Sequence, residues 1–444
     1  MNAVGLLRAL LLVCGGLALG VATLGAIVVL MAASGGALTT PAEAWVVRLR
    51  PLRGIDVALS VPGLARFATT PAVLRLLDGR SVDSRHGRLR FARDGEALRV
   101  ACAPCRIDDP RLAARPLEIE HLALRVTQVD AQTLRGEARA GDVALGFTAK
   151  LQPDRIDVDW RLPPTDVAAI YRLLAGAIPE ARVARIVGRV AAGGSLRLPQ
   201  QRAGIELSID GFAVDGLGTE ALADGPIVFP CRDADGRLRP RRALPGEGRW
   251  ISPAQSGKLL AAAVLAAEDQ RFHEHAGYDR EEIARVLGAV DEQGVHRGAS
   301  TITQQLARLL FTGHERTAAR KLRELLYAVE MERTLGKRAI LALYLNTVDW
   351  GPGLCGADAA ARAYFGRRPG ELTPLEAAWL ASILPNPAQA YEGEFLAGAA
   401  DAGRAARVLR QMRSLPRAER DRWARQNLLF ASAAARPQAL ATGP

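Results

Sequence analysis

Residues 267–279 read AEDQRFHEHAGYD. An alanine-rich apolar run ends here on an acidic pair, and an aromatic, two histidines and a glycine follow at once. Upstream, Ser252-Pro-Ala-Gln255 has the composition of a helix start, with Ser as cap, Pro at the first helical position and Gln three residues beyond the cap. Leu259, Leu260, Ala263, Val264 and Ala267 then form an apolar stripe at helical spacing. The helix is therefore expected to deliver Glu268 and Asp269 at or near its C-terminal end, where the dipole slightly disfavours an anion. A carboxylate held there, close to buried surface, should have a raised pKa and could act as a base. The ordinary alternative is a solvated acidic corner.

Two further clusters follow. In Gly298-Ala-Ser-Thr-Ile-Thr-Gln-Gln-Leu-Ala-Arg308, small residues lead into hydroxyls that can cap a helix, and the first turn is expected to present free N–H groups to an anion. Thr301, Gln305 and Arg308 fall on one helical face, and a hydroxyl, an amide and a guanidinium together suit a sugar diphosphate. In Arg316-Thr-Ala-Ala-Arg-Lys-Leu-Arg-Glu324, helical spacing puts Arg316, Arg320, Arg323 and Glu324 on one side and Leu322, Leu325, Leu326 and Val329 on the other. Arginines crowded on one stripe repel each other, and a bound polyanion would relieve that repulsion. By itself this helix reads as an amphipathic one with a solvated basic face.

The 444 residues are enough for two or three domains, and a hydrophobic content of 49% excludes a mostly disordered chain. The net charge of +11 suggests an anionic partner without choosing among nucleic acid, lipid headgroup and phosphorylated substrate. Residues 9–33 carry no charge over 25 positions. At about 1.5 Å per residue that is enough to cross a hydrocarbon layer of about 30 Å. An uncleaved transmembrane anchor over 1–35 is expected, although Ala42-Glu43-Ala44 would permit cleavage. From 45 to 222 the pattern is β-rich: Leu117–Val126 and Arg155–Leu162 alternate apolar and polar residues with period two. Residues 223–250, rich in Arg, Pro and Gly from Cys231 onward, read as a linker. Helical periodicity dominates 251–395 and continues into a helical extension and tail over 396–444. The expected fold class is multidomain α+β. Of five cysteines, Cys14 lies in the apolar run; Cys102, Cys105, Cys231 and Cys355 lie beyond it. In an exported chain the Cys102/Cys105 pair suggests a disulfide, with pairing to Cys231 or Cys355 left open. His273 and His275 have no third ligand at suitable spacing, so structural hydrogen bonding is expected and no metal site. Trp350 and Tyr364 are expected in the core or near lipid rather than as sugar platforms.

Taken together, the three clusters resemble the glycosyltransferase family that polymerises peptidoglycan, which has a lysozyme-like fold. Glu268–His275 followed by Ala-Gly-Tyr-Asp279 is similar to its EDxxFxxHxGxD motif, Gly298–Gln305 to GGSTITQQ, and Arg320-Lys-Leu-Arg-Glu324 to RKxxE. Ile340–Asn346, Trp350-Gly351, Gly356–Arg362, Tyr364–Gly366 and Leu384–Pro387 continue the similarity, which covers about 250–395 and is closest to the monofunctional biosynthetic transglycosylases. The resemblance departs at Ala299, where a second glycine is usual, and at Arg308 and Arg323, where lysine is common; arginine keeps the charge but cannot donate a proton.

The resemblance implies that Glu268 is the general base, with Glu324 a second essential carboxylate. It implies substrate contacts from Ser300, Thr301, Gln305, Arg308, Arg316, Arg320 and Arg323, and a shape-holding role for Asp269, Phe272 and His275. No cofactor is required, with room for a divalent cation, Mg or Mn, at the diphosphate. The implied partners are lipid II, the growing glycan strand, the membrane and other cell-wall synthesis proteins, not nucleic acid. The implied location is the cytoplasmic (inner) membrane, single-pass, with the catalytic domain extracytoplasmic or periplasmic and 280–297 close to the membrane. Residues 396–444 are too few for a transpeptidase domain, and no SxxK or KTG is present. A glycan-cleaving enzyme of related fold and a non-catalytic lipid II-binding scaffold are the alternatives.

Overall fold

The computed structural model describes residues 46–52, 55–152, 155–198, 202–280, 300–398 and 400–431. The apolar run at 9–33, the Ala42–Ala44 triplet and the segment 281–297 lie outside the described residues. Among the described residues no helix is long and apolar enough to cross a membrane. The chain divides into two units, the first from Met1–Gly216, Arg280–Ala299 and Glu315–Arg323, the second from Leu217–Asp279, Ser300–His314 and Glu324–Pro444.

The first unit is built on an antiparallel sheet. A hairpin of β1 (Val46–Leu52) and β2 (Ile55–Ser60) leads into α1 (Val61–Ala68) and α2 (Pro71–Leu77). Nine strands follow, β3 (Ser81–Ser84), β4 (Gly87–Asp94), β5 (Ala97–Cys102), β8 (Leu122–Gln128), β9 (Thr133–Ala140), β10 (Val143–Leu151), β11 (Ile156–Asp166), β12 (Arg185–Leu198) and β13 (Arg202–Asp215), paired in that order across the sheet. A two-stranded ribbon of β6 (Cys105–Ile107) and β7 (Leu117–Ile119) interrupts them in sequence. The period-two alternation becomes one apolar face: Leu124, Val126, Leu134, Phe147, Ala149, Val158 and Trp160 share a buried cluster. Neighbours such as Arg125, Arg135 and Arg161 are exposed. Phe147 pairs with Gly136 on one side and Trp160 on the other, and a Cβ on Gly136 would lie 2.3 Å from the Phe147 ring, so glycine makes room for the aromatic. The strand expected over Arg155–Leu162 runs on to Asp166 through an irregularity between Leu162 and Thr165, and α3 follows over Val167–Leu173. Cys102 bonds to Cys105.

The second unit is mainly helical. It opens with a hairpin, β14 (Ile227–Arg232) and β15 (Leu238–Ala243), where composition suggested a linker. Ile227, Phe229 and Cys231 are buried in the helical core, and Cys231 bonds to Cys355, which pins the hairpin across a separation of 124 residues. The core is completed by α4 (Lys258–Glu268), α5 (Ile302–Ala307), α6 (Ala318–Thr334, whose residues from Glu324 belong here), α7 (Gly336–Thr347), α8 (Ala357–Phe365) and α9 (Pro374–Ile383). All of α9 is buried. Further on, α10 (Ala402–Gln411) packs against α9 and α4, with Ala405 and Leu409 fully buried, so the core extends past residue 395. Trp350 and Tyr364 are both buried, the Tyr364 hydroxyl donating to the Trp350 carbonyl at 2.7 Å.

The start of α4 differs from the expectation. Ser252 and Gln255 do form the reciprocal capping contacts, Ser252 N to Gln255 Oε1 at 2.8 Å and Gln255 N to Ser252 Oγ at 3.3 Å, but they close a separate turn. The helix begins at Lys258, after Gly257 at φ +72°, where a Cβ would meet Gly370 Cα at 2.8 Å. Leu260 and Val264 are then fully buried, which contributes roughly 1.5–3 kcal/mol each.

Candidate active site

Helix α4 ends at Glu268 and Asp269 follows as its C-cap, in extended backbone. The two carboxylates point to different tasks. Asp269 is buried. Its Oδ2 accepts the N–H of Ile302, the first residue of α5, at 3.0 Å, and its oxygens lie 3.0 and 3.1 Å from His275 Nε2. His275 Nδ1 accepts the Gly277 N–H at 3.2 Å, so in the neutral ring the proton sits on Nε2 and is donated to Asp269. Gly277 has φ +88°, and a Cβ there would lie 2.8 Å from the Ala328 carbonyl. Phe272 is buried beneath, with Lys337 Nζ 4.4 Å from its ring centroid. This network turns the chain sharply after α4 and fastens the turn to the start of α5.

Thr301 caps α5. Its hydroxyl accepts from Gln304 N at 3.2 Å and donates to the Gly277 carbonyl at 2.7 Å, while Gln304 Oε1 accepts the Thr301 N–H at 3.2 Å. Two sequence expectations change as a result. The N–H groups of Ile302 and Gln304 are taken by Asp269 and Thr301 and do not await an anion. Thr301 itself is buried, its hydroxyl committed to joining two segments, and it does not share an exposed face with Gln305 and Arg308.

Gln305 and Arg308 are partly exposed. Gln305 Nε2 donates to Glu268 Oε2 at 2.8 Å, and Gln305 Oε1 accepts the hydroxyl of Tyr344, a buried residue of α7, at 2.8 Å. Burial pushes the Glu268 carboxyl above the ordinary glutamate range; the Gln305 hydrogen bond and the Arg308 charge pull it back in part, and Asp269 adds to the rise. Burial likewise raises the Tyr344 phenol well above its usual value, which keeps it a neutral donor. After α5 the backbone widens into a π turn, Arg308–Thr312, closed by Gly313 at φ +73°. Ser300 is partly exposed just before the cap, and Glu324 is fully buried on α6. The second unit thus gathers Glu268, Gln305, Arg308 and the unforeseen Tyr344 around one carboxylate of altered acidity.

The first unit holds the remaining cations. Arg316 is exposed and precedes α6, which starts at Ala318, so it is not on the helical stripe expected of it. Thr317 accepts the Arg320 N–H at 3.1 Å, and the N–H groups of Ala318 and Ala319 donate to the carbonyls of Arg111 and Leu112 at 2.8 and 2.9 Å. Arg320 is buried. Arg323 Nε and Nη2 face the buried Glu180, with N···O distances of 2.8–2.9 Å. Tyr171 Oη donates to the Leu322 carbonyl at 3.1 Å. Among the described residues no three His, Cys, Asp or Glu side chains gather to hold a metal ion.

This arrangement, a partly buried glutamate tuned by an amide and a guanidinium, lies in a stretch with recognisable relatives. Residues 241–413 match the family model described as Transglycosylase. A biosynthetic peptidoglycan transglycosylase of Nitrosomonas eutropha is 44% identical over 140 residues, 31% of this chain and 57% of its own length. Those of Vibrio parahaemolyticus and Azoarcus sp. are 44% and 45% identical over 138 and 147 residues, covering 31% and 33% of this chain and 61% and 63% of their own. The chain spans about three fifths of the length of these curated relatives. The match includes the hairpin β14–β15 only in part and ends beyond α10, and it leaves the nine-stranded sheet outside.

Proposed function

We propose that this protein is a peptidoglycan glycosyltransferase that polymerises lipid II into β-1,4-linked glycan strands. In this reading the helical unit has the lysozyme-like fold of that family, the apolar run at 9–33 anchors the chain in the cytoplasmic membrane, and both units lie on the extracytoplasmic side, where lipid II is displayed. The observation that carries the reading is the environment of Glu268: a carboxylate with raised pKa, hydrogen-bonded to Gln305 and within the field of Arg308.

The chemistry follows from that environment. The ionised Glu268 carboxylate takes the proton of the acceptor sugar's 4-hydroxyl as O4 attacks the anomeric carbon of the donor chain. The bond from that carbon to the diphosphate oxygen breaks, and undecaprenyl diphosphate departs with the electron pair. Attack opposite the leaving group inverts an α-linked diphosphate to a β-1,4 bond. Burial raises the Glu268 pKa, which makes the carboxylate a stronger base than a solvated glutamate. The leaving group gathers negative charge, and the family resemblance assigns its stabilisation to Arg308, Arg316, Arg320 and Arg323. Glu324, the second essential carboxylate that the resemblance implies, is fully buried on α6. A cationic set of this size has no task in cleaving a neutral glycan, which sets the hydrolytic alternative aside.

Incubation of the purified full chain with lipid II tests the reading. Polymer of increasing length supports it. Muropeptide release from sacculi without polymer would indicate a cleaving enzyme, and neither product would indicate a binding scaffold.

A further inference from the structure

The first unit contains a pocket of about 380 Å³ whose lining includes Arg115, Arg182, Glu315, Thr317, Arg320 and Arg323. That lining contains four arginines and one carboxylate residue, Glu315. Arg320 and Arg323 come from the RKLRE segment of α6, but Arg115 and Arg182 come from the sheet unit, outside residues 241–413. Arg115 sits between β6 and β7, and Arg182 ends the 3-10 turn Pro179–Arg182.

Both donor segments are fastened to α6. The loop carrying Arg115 gives the carbonyls of Arg111 and Leu112 to the N–H groups of Ala318 and Ala319, and Asp109 braces it by pairing with Arg111 at 2.6 Å. The turn carrying Arg182 is tied through Glu180, two residues earlier, to Arg323. With those helix N–H groups already used, the pocket's attraction for anions rests on side chains. Arginines lining one pocket offer a tetrahedral oxyanion with several oxygens paired N–H donors. The volume lies within the roughly 300–1,000 Å³ usual for small-molecule sites.

We propose that Arg115 and Arg182 complete the diphosphate-binding cation set with Arg320 and Arg323, and that Glu180 is a positioning residue that fixes the Arg323 guanidinium. The nine-stranded unit is then a substrate-binding part of the enzyme, not a spacer. This rests on the lipid II-polymerising reading for the source of the diphosphate. The same oxyanion chemistry could come from an anionic lipid headgroup, so the test separates the two.

The full chain and its Arg115→Ala/Arg182→Ala variant, both altered residues being exposed, are compared for inorganic pyrophosphate binding by calorimetry, for lipid II KM, and for binding to phosphatidylglycerol vesicles. The expected result is a loss of pyrophosphate affinity of about 10-fold or more and a comparable rise in KM, with vesicle binding unchanged. Unchanged pyrophosphate affinity overturns the proposal, and so does a loss confined to vesicle binding, which would make the pocket a headgroup site. A wild-type chain that makes no polymer would defeat the functional reading alone, because pyrophosphate binding still decides the pocket: weaker binding by the variant supports it, and equal binding or none by the wild type ends it. Glu180→Gln is expected to raise KM more than it lowers kcat, with partial rescue by Glu180→Asp. A fall in melting temperature with KM unchanged would reduce Glu180 to a folding role.

Discussion

Gln305 Nε2 lies 2.8 Å from Glu268 Oε2, and this bond opposes the burial that raises the carboxyl's pKa. Removing it removes a stabiliser of the ionised form. Gln305→Leu is therefore expected to move the acidic limb of the pH profile of kcat/KM upward, and to lower the rate at neutral pH by about 10-fold, the equivalent of one lost hydrogen bond to a charged group. A profile whose acidic limb is unmoved would remove Gln305 from the tuning of Glu268.

The raised pKa of Glu268 also bears on stability. A group whose pKa is higher folded than unfolded favours the native state below its unfolded pKa, and that contribution is lost as pH rises through the folded value. Glu268→Gln carries no charge to bury. Its melting temperature should equal or exceed that of the wild type at pH 8, with the gap closing as the pH falls to about 4, near the unfolded glutamate pKa. Thermal melts across that range check this; a variant less stable at pH 8 would contradict the burial argument.

Asp269 has the opposite character, a buried acceptor for His275 and for the first N–H of α5. Asp269→Asn presents an amide where two donors converge. A loss of about 2–4 kcal/mol is expected in denaturant unfolding of the helical unit, more than for substitutions of exposed carboxylates such as Glu274.

The Cys231–Cys355 bond closes a separation of 124 residues and holds β14 on the helical core. By loop-closure entropy its removal should cost about 3–5 kcal/mol. Cys231→Ser/Cys355→Ser should unfold at lower denaturant than the oxidised wild type, and reductant should erase the difference. The Cys102–Cys105 bond spans only three residues, so its loss should cost far less.

The sequence was most legible where interactions are local. The end of α4 at Glu268, the Thr301 cap and the pairing role of His275 follow from spacings within a few residues. The alternation in β8 and β11 likewise foretold a sheet with one buried face. Contacts made over long separations left no such mark. Glu180 meets Arg323 across 143 positions, and Tyr344 reaches Gln305 across 39, from an apolar helix in which a tyrosine looks like core. The hairpin at 227–243 was hidden by composition: Arg and Pro on β15 disguised the inward alternation of Ile227, Phe229 and Cys231. The start of α4 was misplaced because Ser252–Gln255 satisfies its cap within one turn, and Gly257 alone has the backbone freedom to begin the helix beside Gly370.

Glycan synthesis from lipid II by Glu268→Gln, measured as initial rate beside the wild type at pH 7.5 with folding verified by thermal melt, bears most directly on the central claim. Loss of the base should lower the rate by roughly 10²–10⁴-fold while leaving the fold intact. Chain synthesis at the wild-type rate would mean that another group accepts the proton.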